Sequence, residues 1–147
     1  MLGSSGSVEI SDLESFQSWI QLFQKSLQGN EIVLISGDMG AGKTEFVKRL
    51  SRLYGFEGAV SPTFALHHAM QSSLKKIDHF DLYRLESADE LESIGLWDIL
   101  EDPESLVLIE WPERVPVQYW PRARNKITLK ISKVDSGLRR HLAWQKL

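Results

Sequence analysis

The chain has 147 residues, of which 42% are hydrophobic and 25% charged, a composition that supports one folded domain. It excludes intrinsic disorder, collagen-like repeats and coiled coil, and no apolar run reaches the ~18–20 residues needed to span a bilayer. Cysteine is absent, which excludes a disulfide framework, a thiolate metal site and a Cys nucleophile. The first residues lack the basic and apolar regions of a secretory signal, so we expect a cytoplasmic protein without membrane contact.

The net charge of −3 is the sum of two regions of opposite sign. Residues 1–113 carry 8 Lys/Arg against 19 Asp/Glu, a net charge of −11, whereas residues 114–147 carry 9 basic residues against Asp135 alone, a net charge of +8. A protein that grips nucleic acid over its whole surface is basic throughout. Any direct contact with RNA would therefore fall to the last third of the chain.

Hydrophobic spacing and turn residues predict a series of alternating strands and helices. Two capping boxes mark helix starts, Ser11 with Glu14 and Ser87 with Glu90. Two continuous apolar runs are typical of strands buried on both faces, and alternation near the C-terminus predicts a hairpin. In chain order we expect a strand at 8–10, a helix ending at 29–30, a strand at 32–35, a helix carrying apolar residues 46–53, an extended pair within 63–83 that is broken at 71–73, a short helix ending at residue 95, a strand at 106–109, and a hairpin of 127–131 and 138–144 that turns at 135–137.

This alternation of buried strands and crossover helices predicts an α/β fold. No internal repeat or second domain is evident, so residues 8–147 are expected to form one domain. Residues 1–7 are expected to be a flexible N-terminal segment.

The segment from Gly37 to Thr44 matches G-x-x-x-x-G-K-[ST] and lies between a buried strand and an amphipathic helix. Glycines allow backbone N–H groups to curl around a polyphosphate, and the helix N-terminus adds partial positive charge. Lys43 would reach the β- and γ-phosphates, and the Thr44 hydroxyl would bind Mg²⁺. In this segment and directly after it, the residues that we expect at the nucleotide are Asp38, Met39, Gly40, Ala41, Gly42, Lys43, Thr44 and Glu45.

A phosphate-binding loop needs a second magnesium partner, usually an acid that ends a neighbouring buried strand. Glu110 directly follows the apolar run 106–109 and would bind Mg²⁺ directly or through water, or orient the attacking water. Asp81 is a second candidate. For both residues the alternative is an ordinary carboxylate at a strand end, and for Asp81 that alternative is as good as the functional one.

Thr63 lies in Ser61-Pro62-Thr63-Phe64, where many such proteins have a loop that senses the γ-phosphate. A Ser-Pro turn ahead of a strand also explains this segment and is favoured by the sequence alone. A guanine-specific protein would carry D-x-x-G after a strand, and none occurs. The sequence therefore favours ATP over GTP.

Several other side chains have ordinary interpretations that compete with functional ones. His67, His68 and His79 are expected to be solvated strand residues, because a catalytic zinc site keeps three protein ligands and no local spacing assembles them. Arg139 and Arg140 are likewise expected to be solvated, although the hairpin that carries them would be able to meet nucleotide or partner.

The stretch from Glu86 to Glu104 contains eight acids and no Lys or Arg. Such a run is usually a solvated face, and it is also suited to docking a basic partner. Trp111 follows Glu110 directly, and for this residue a binding contact and core packing remain equal alternatives.

Four strings resemble one family in order and spacing: Gly37–Thr44, Ser61–Phe64, His79–Leu85 and Leu108–Arg114. The family is TsaE (also called YjeE), the small bacterial ATPase of threonylcarbamoyladenosine tRNA modification. The resemblance covers roughly residues 10–142, and its last two strings are far more specific than the phosphate loop. It implies a P-loop NTPase fold with a mixed, mostly parallel central sheet flanked by helices.

The resemblance further implies binding of ATP or ADP with Mg²⁺. It assigns Lys43, Glu110 and Asp81 to catalysis, and Thr44, Glu110 and Asp81 to the metal. Thr63 belongs to a switch-like loop, and Glu113 lies beside the nucleotide and contacts it. Two departures from the family pattern are Glu45, where a second Thr or a small residue is usual, and Ala65, where Thr or Ser is frequent.

The family works with TsaB and TsaD, of which TsaD transfers the threonylcarbamoyl group and TsaE hydrolyses ATP so that the complex can cycle. The resemblance therefore implies these two partners and a contact with tRNA through the complex. Because no arginine finger is evident, we expect slow hydrolysis by the chain alone and activation by a partner. The alternatives are a nucleotide-gated adaptor with negligible turnover and a small P-loop kinase. Residues 85–113 contain no Lys or Arg to build the kinase's lid.

Overall fold

The computed structural model describes residues 2–57 and 66–147. Its helices and strands follow the predicted alternation, with one helix that the sequence analysis did not anticipate. The strands are β1 (Ser5–Ile10), β2 (Ile32–Ser36), β3 (His67–Gln71), β4 (Lys76–Asp81), β5 (Ser105–Glu110), β6 (Lys126–Lys133) and β7 (Arg140–Lys146). The helices are α1 (Leu13–Ser26), α2 (Lys43–Leu53), α3 (Asp89–Ser93) and α4 (Leu96–Glu101), with 3-10 turns at Pro112–Arg114 and Val117–Tyr119.

The seven strands form one mixed sheet in the order β1-β7-β6-β2-β5-β4-β3. The four central strands, β6, β2, β5 and β4, are mutually parallel, and antiparallel strands extend the sheet at both edges. The predicted mixed α/β sheet flanked by helices is confirmed, and its parallel character is confined to the centre. Because parallel strands end at the same edge, the residues that follow β2, β4 and β5 lie side by side.

Helices cover both faces of the central strands. On one face, α1 and α2 bury aromatic side chains against β2 and β5, with Trp19 and Phe23 stacked 5.2 Å apart and Phe46 beside them. On the other face, α3 and α4 bury leucines against Val107 and Ile109. The strands β2 and β5 are therefore buried on both faces, as their continuous apolar sequence predicts.

The sheet begins earlier in the chain than predicted. β1 starts at Ser5 rather than Val8, and it pairs with β7 from Ser5 opposite Gln145 to Ile10 opposite Arg140. Residues 5–7 therefore belong to the sheet instead of a flexible segment. They escaped prediction because Ser5, Gly6 and Ser7 lack an apolar pattern, and backbone pairing alone places them.

The capping boxes also differ from prediction. The cap of α1 is Asp12, which accepts a hydrogen bond from the backbone N–H of Ser15 at 2.7 Å, so the box lies one residue beyond the predicted Ser11 and Glu14. Glu90 does reach back, and its carboxylate accepts from the N–H of Ser87 at 3.3 Å. The chain then bends at Gly95 with φ 76° and continues as the unpredicted α4.

Candidate functional site

A glycine-rich loop joins the end of β2 to the start of α2 at the carboxyl edge of the parallel strands. Gly42, the residue before α2, has φ 118°, and no side chain caps this helix. Gly37 has φ 148°, and a Cβ atom there would collide with the carbonyl oxygen of Ile131. The loop and the uncapped helix N-terminus together supply backbone donors and partial positive charge that suit an anion.

Lys43 is the first residue of α2, and its ammonium group lies against the loop. Its Nζ donates hydrogen bonds to the carbonyl oxygens of Gly37 at 2.5 Å and Asp38 at 2.9 Å. The same atom lies 4.3 Å from the centroid of the Trp111 ring. Burial lowers the pKa of Lys43, and the surrounding carboxylates, Glu110 foremost, oppose that shift. A bound phosphate would compete with the two carbonyl oxygens for this cation.

Thr44, Glu110 and His79 form a chain of hydrogen bonds beside Lys43. Thr44 Oγ1 donates to Glu110 Oε1 at 3.0 Å, and Glu110 Oε2 lies 2.6 Å from His79 Nε2. The side chains of His79 and Glu110 are only 1% and 2% exposed. Because a carboxylate oxygen can only accept, His79 donates from Nε2 and its other nitrogen, Nδ1, has no hydrogen-bond partner. The predicted metal ligands Thr44 and Glu110 are thus in direct contact.

Asp81 adds a second carboxylate to the same edge of the sheet. The register places Asp81 of β4 opposite Glu110 of β5. Burial raises the pKa of Asp81, and the charge of Glu110 raises it further. A divalent cation would remove this repulsion, so the donor set of one hydroxyl and two carboxylates fits Mg²⁺.

The described residues contain no group of three His, Asp or Glu side chains that could hold a metal ion by itself. Mg²⁺ usually keeps several waters and takes one or two carboxylates together with phosphate oxygens. The ligands predicted from the sequence are Thr44, Glu110 and Asp81, which lie together at this edge of the sheet.

A cavity of about 270 Å³ lies beside the phosphate loop, and its lining includes Lys43, Thr44, Asp81 and Glu110. Tyr83 and Trp111 form its aromatic wall, with ring centroids 5.0 Å apart. Trp111 has φ 59° and is the one non-glycine residue among those described with a positive φ. Such a bulky residue is strained in that conformation, which is characteristic of functional sites. The predicted residues that line the cavity are Met39, Gly40, Gly42, Lys43, Thr44, Glu45, Asp81 and Glu110.

The remaining predicted site residues do not line the cavity among the described residues, and each has a different position. Ala41 buries its side chain in the core at 1% exposure, so only its backbone can face a ligand. Asp38 offers its carbonyl oxygen to Lys43. Glu113 is exposed on the first 3-10 turn, where its charge acts on Lys43. Thr63 and the rest of Ser61–Phe64 lie outside the described residues, as does Ala65.

A known protein family matches most of this chain. Residues 10–142 match the family model described as threonylcarbamoyl adenosine biosynthesis protein TsaE. The chain belongs to the TsaE family. Family membership and fold together indicate a nucleotide-binding protein, with the phosphate loop at the carboxyl edge of the sheet.

Curated relatives carry the name tRNA threonylcarbamoyladenosine biosynthesis protein TsaE. The one from Borreliella burgdorferi is 41% identical over 108 residues, which cover 73% of this chain and 77% of that protein. The one from Rickettsia conorii is 39% identical over 102 residues, 68% of this chain. The match spans only 57% of the Rickettsia protein's length.

A crystal structure of YdiB from Bacillus subtilis shares the fold. It superposes with a TM-score of 0.71 at 19% sequence identity, covering 98% of this chain and 86% of that chain. At such identity the likeness concerns architecture alone.

Among residues 2–57 and 66–147, no helix combines the length and apolar character required to cross a membrane.

Glu45, one of the two departures from the TsaE pattern, has a local partner. Its Oε1 accepts a hydrogen bond from Arg49 Nε at 2.7 Å, one helical turn along α2. Arg49 also donates to Gln17 of α1 at 3.0 Å. Although Glu45 lines the cavity, its negative charge is therefore partly compensated by Arg49.

Two residues that were predicted to be solvated, His79 and Arg140, instead have partners at the site. His79 is buried against Glu110 instead of solvated. Arg140 is also not a solvated arginine, because its Nε donates to the carbonyl oxygen of Ala41 in the phosphate loop at 2.7 Å. The signal for His79 was its position two residues before Asp81 on a strand, which places both on one face. Nothing local in the sequence connects Arg140 to a loop 99 residues earlier.

Proposed function

We propose that this chain is a cytoplasmic, Mg²⁺-dependent ATPase that supports threonylcarbamoyladenosine modification of tRNA together with TsaB and TsaD. The observation that carries the proposal is the 3.0 Å hydrogen bond between Thr44 and Glu110, directly beside the Lys43 ammonium. It brings together the hydroxyl and the strand-end carboxylate that the phosphate-loop mechanism requires. The names of the curated relatives support the assignment to tRNA modification.

In this proposal each residue has a separate task. The loop backbone and Lys43 bind the β- and γ-phosphates of ATP, and Thr44, Glu110 and Asp81 hold Mg²⁺, which would neutralise charge on the phosphates. Glu110 is fixed by His79, whose ring donates to the carboxylate oxygen that faces away from Thr44. Trp111 covers Lys43 and limits water at the phosphates.

The charges around the cavity support activation by a partner. Among the described residues that line it, Lys43 is the only cation, beside Glu45, Asp81 and Glu110. Stabilising the transferring phosphoryl group usually takes a further positive charge, commonly an arginine supplied by the same chain or by a partner. We therefore expect slow turnover by the chain alone and faster turnover when TsaB and TsaD are bound, with tRNA contacted through the complex.

The test is steady-state phosphate release from Mg·ATP by the chain alone and with TsaB and TsaD added. Glu110→Gln should abolish the partner-stimulated rate, because it removes the charge that holds Mg²⁺ while preserving the shape of the side chain. The matched control is Glu104→Gln, an exposed acid just before the other end of β5, which should release phosphate as the wild type does. Equal rates for Glu110→Gln and wild type would contradict the proposal.

A nucleotide-gated adaptor is the alternative, favoured by the scarcity of cations at the cavity. It predicts ATP binding and ATP-dependent association with TsaB and TsaD, without stimulated phosphate release. Measuring association and release in the same samples separates the two functions.

A further inference from the structure

A second cavity, which we call the aromatic groove, shares no lining residue with the cavity at the phosphate loop. It has a volume of about 710 Å³ and is bounded by residues 85–92 on one side and by the two 3-10 turns on the other. Trp97 and Tyr119 meet edge to face in it, with ring centroids 5.8 Å apart. Tyr119 is 53% exposed, and the neighbouring Val117 is 81% exposed. An exposed apolar patch with a polar rim commonly marks an interaction surface or a binding groove.

The rim of the aromatic groove is acidic. Glu86, Asp89 and Glu92 line it and are exposed, and Arg114 is the only cation among its described lining residues. A nucleic acid or an anionic lipid surface would be repelled by these carboxylates. Charge complementarity instead favours a cationic occupant with an apolar side chain to fill the centre.

We infer that the aromatic groove receives a segment of a partner protein in which Lys or Arg residues flank an apolar anchor. This inference rests on the proposed function, and it adds the chemistry by which a partner is recognised. Aromatic pockets with a charged rim concentrate binding energy in the central anchor, while the rim sets orientation and the rate of encounter.

A second copy of this chain is a poorer occupant, because its own basic residues are partly engaged in the fold. Arg124 donates to the carbonyl oxygens of Leu100 and Ser105, Lys126 donates to that of Pro121, and Arg140 binds the phosphate loop. The basic last third of the chain therefore has fewer free cations than its composition suggests.

A continuous set of side-chain contacts links the groove to the phosphate loop. The Arg114 guanidinium, at the groove, lies 5.9 Å from the centroid of Tyr83. Tyr83 contacts Trp111 at 5.0 Å, and Trp111 covers the Lys43 ammonium at 4.3 Å. If an occupant shifts Arg114, these contacts connect that shift to Lys43, and by linkage ATP would then change the affinity of the groove for its occupant.

The experiment measures the dissociation constant of the chain for a TsaB–TsaD mixture in the presence of Mg·ATP. The charge variant is Glu86→Lys with Glu92→Lys, and its control is Glu101→Lys with Glu104→Lys, the same charge change outside the groove. The apolar variant is Tyr119→Ala, and its control is Leu74→Ala, an exposed side chain in the turn between β3 and β4. Circular dichroism and ATP affinity of each isolated variant confirm that it is folded.

We expect both groove variants to bind TsaB–TsaD at least tenfold more weakly and both controls to stay within twofold of wild type. Raising the salt concentration should weaken the wild type more than the charge variant, since screening acts on the rim. Wild-type affinity in a folded groove variant would overturn the inference while leaving the proposed function intact. A groove-dependent dimer of the isolated chain would assign the groove to a second copy and also overturn it. Failure of the wild type to bind or respond to TsaB–TsaD would overturn both proposals.

Discussion

Arg140 offers a direct test of whether the C-terminal hairpin shapes the phosphate loop. Its Nε donates to the carbonyl oxygen of Ala41 at 2.7 Å, and its Nη1 donates to the hairpin carbonyl oxygens of Gly137 and Arg139. A hydrogen bond from a charged donor contributes about 1.5–3 kcal/mol. Because the Arg140 side chain is partly exposed, we expect about 1–2 kcal/mol from the Ala41 contact after allowing for solvent screening.

The perturbation is Arg140→Met, which keeps the apolar stem and removes every donor. Loss of the Ala41 contact should lower the unfolding free energy by about 1–2 kcal/mol, and loss of the hairpin contacts should lower it further. ATP should bind about 5–30-fold more weakly, because the ligand must then order the loop itself. Urea denaturation measures the first quantity, and titration with a fluorescent ATP analogue measures the second.

The neighbouring Arg139 supplies the control. It forms a 3.0 Å ion pair with Glu9, in which both side chains are about half exposed, at 53% and 52%. Such surface pairs contribute about 0.2–1 kcal/mol, so Arg139→Met should leave ATP affinity unchanged despite the same loss of charge. Equal ATP affinities for the two variants would refute the role given to Arg140.

Two further predictions concern two acidic residues of β4 and two glycines. Burial raises the pKa of Asp81, so Asp81→Asn should increase the unfolding free energy at pH 7, and the gain should vanish as pH falls below about 4. Burial also acts to raise the pKa of Asp78, but side-chain hydrogen bonds outweigh it and the net shift is downward. Asp78→Asn should therefore lower the unfolding free energy at pH 7, and this loss should shrink as pH falls below about 4. Denaturation measured as a function of pH checks both variants. A change in unfolding free energy of the same sign for Asp81→Asn and Asp78→Asn at pH 7 would contradict these assignments. Gly37→Ala combines a positive φ with a backbone collision, whereas Gly55→Ala has a positive φ but open space around the new Cβ atom. We expect the unfolding free energy, measured by thermal or urea denaturation, to fall by about 3 kcal/mol for Gly37→Ala and about 1 kcal/mol for Gly55→Ala. Equal losses would show that the backbone shifts to relieve the collision.

The sequence was most informative where function depends on neighbours in the chain. The strand, glycine loop and helix around Lys43 follow from local patterns, because an apolar run, glycines and an amphipathic face each dictate one element. Glu110 and Asp81 were also predicted near the metal, the first from its place at the end of a buried strand. The structure places both at the edge where β4 and β5 end side by side.

Tertiary structure decided the contacts between distant segments. His79 meets Glu110 because β4 and β5 pair in parallel with Asp81 opposite Glu110, a register that no local pattern encodes. Arg140 reaches the phosphate loop because β7 returns antiparallel beside β6, whose chain touches Gly37 through Ile131. Sequence by itself thus predicted which residues are suited to bind phosphate and metal, since that depends on residue type and local backbone. Which side chains hold those residues in place depends on strand order and register, and only the folded sheet determines these.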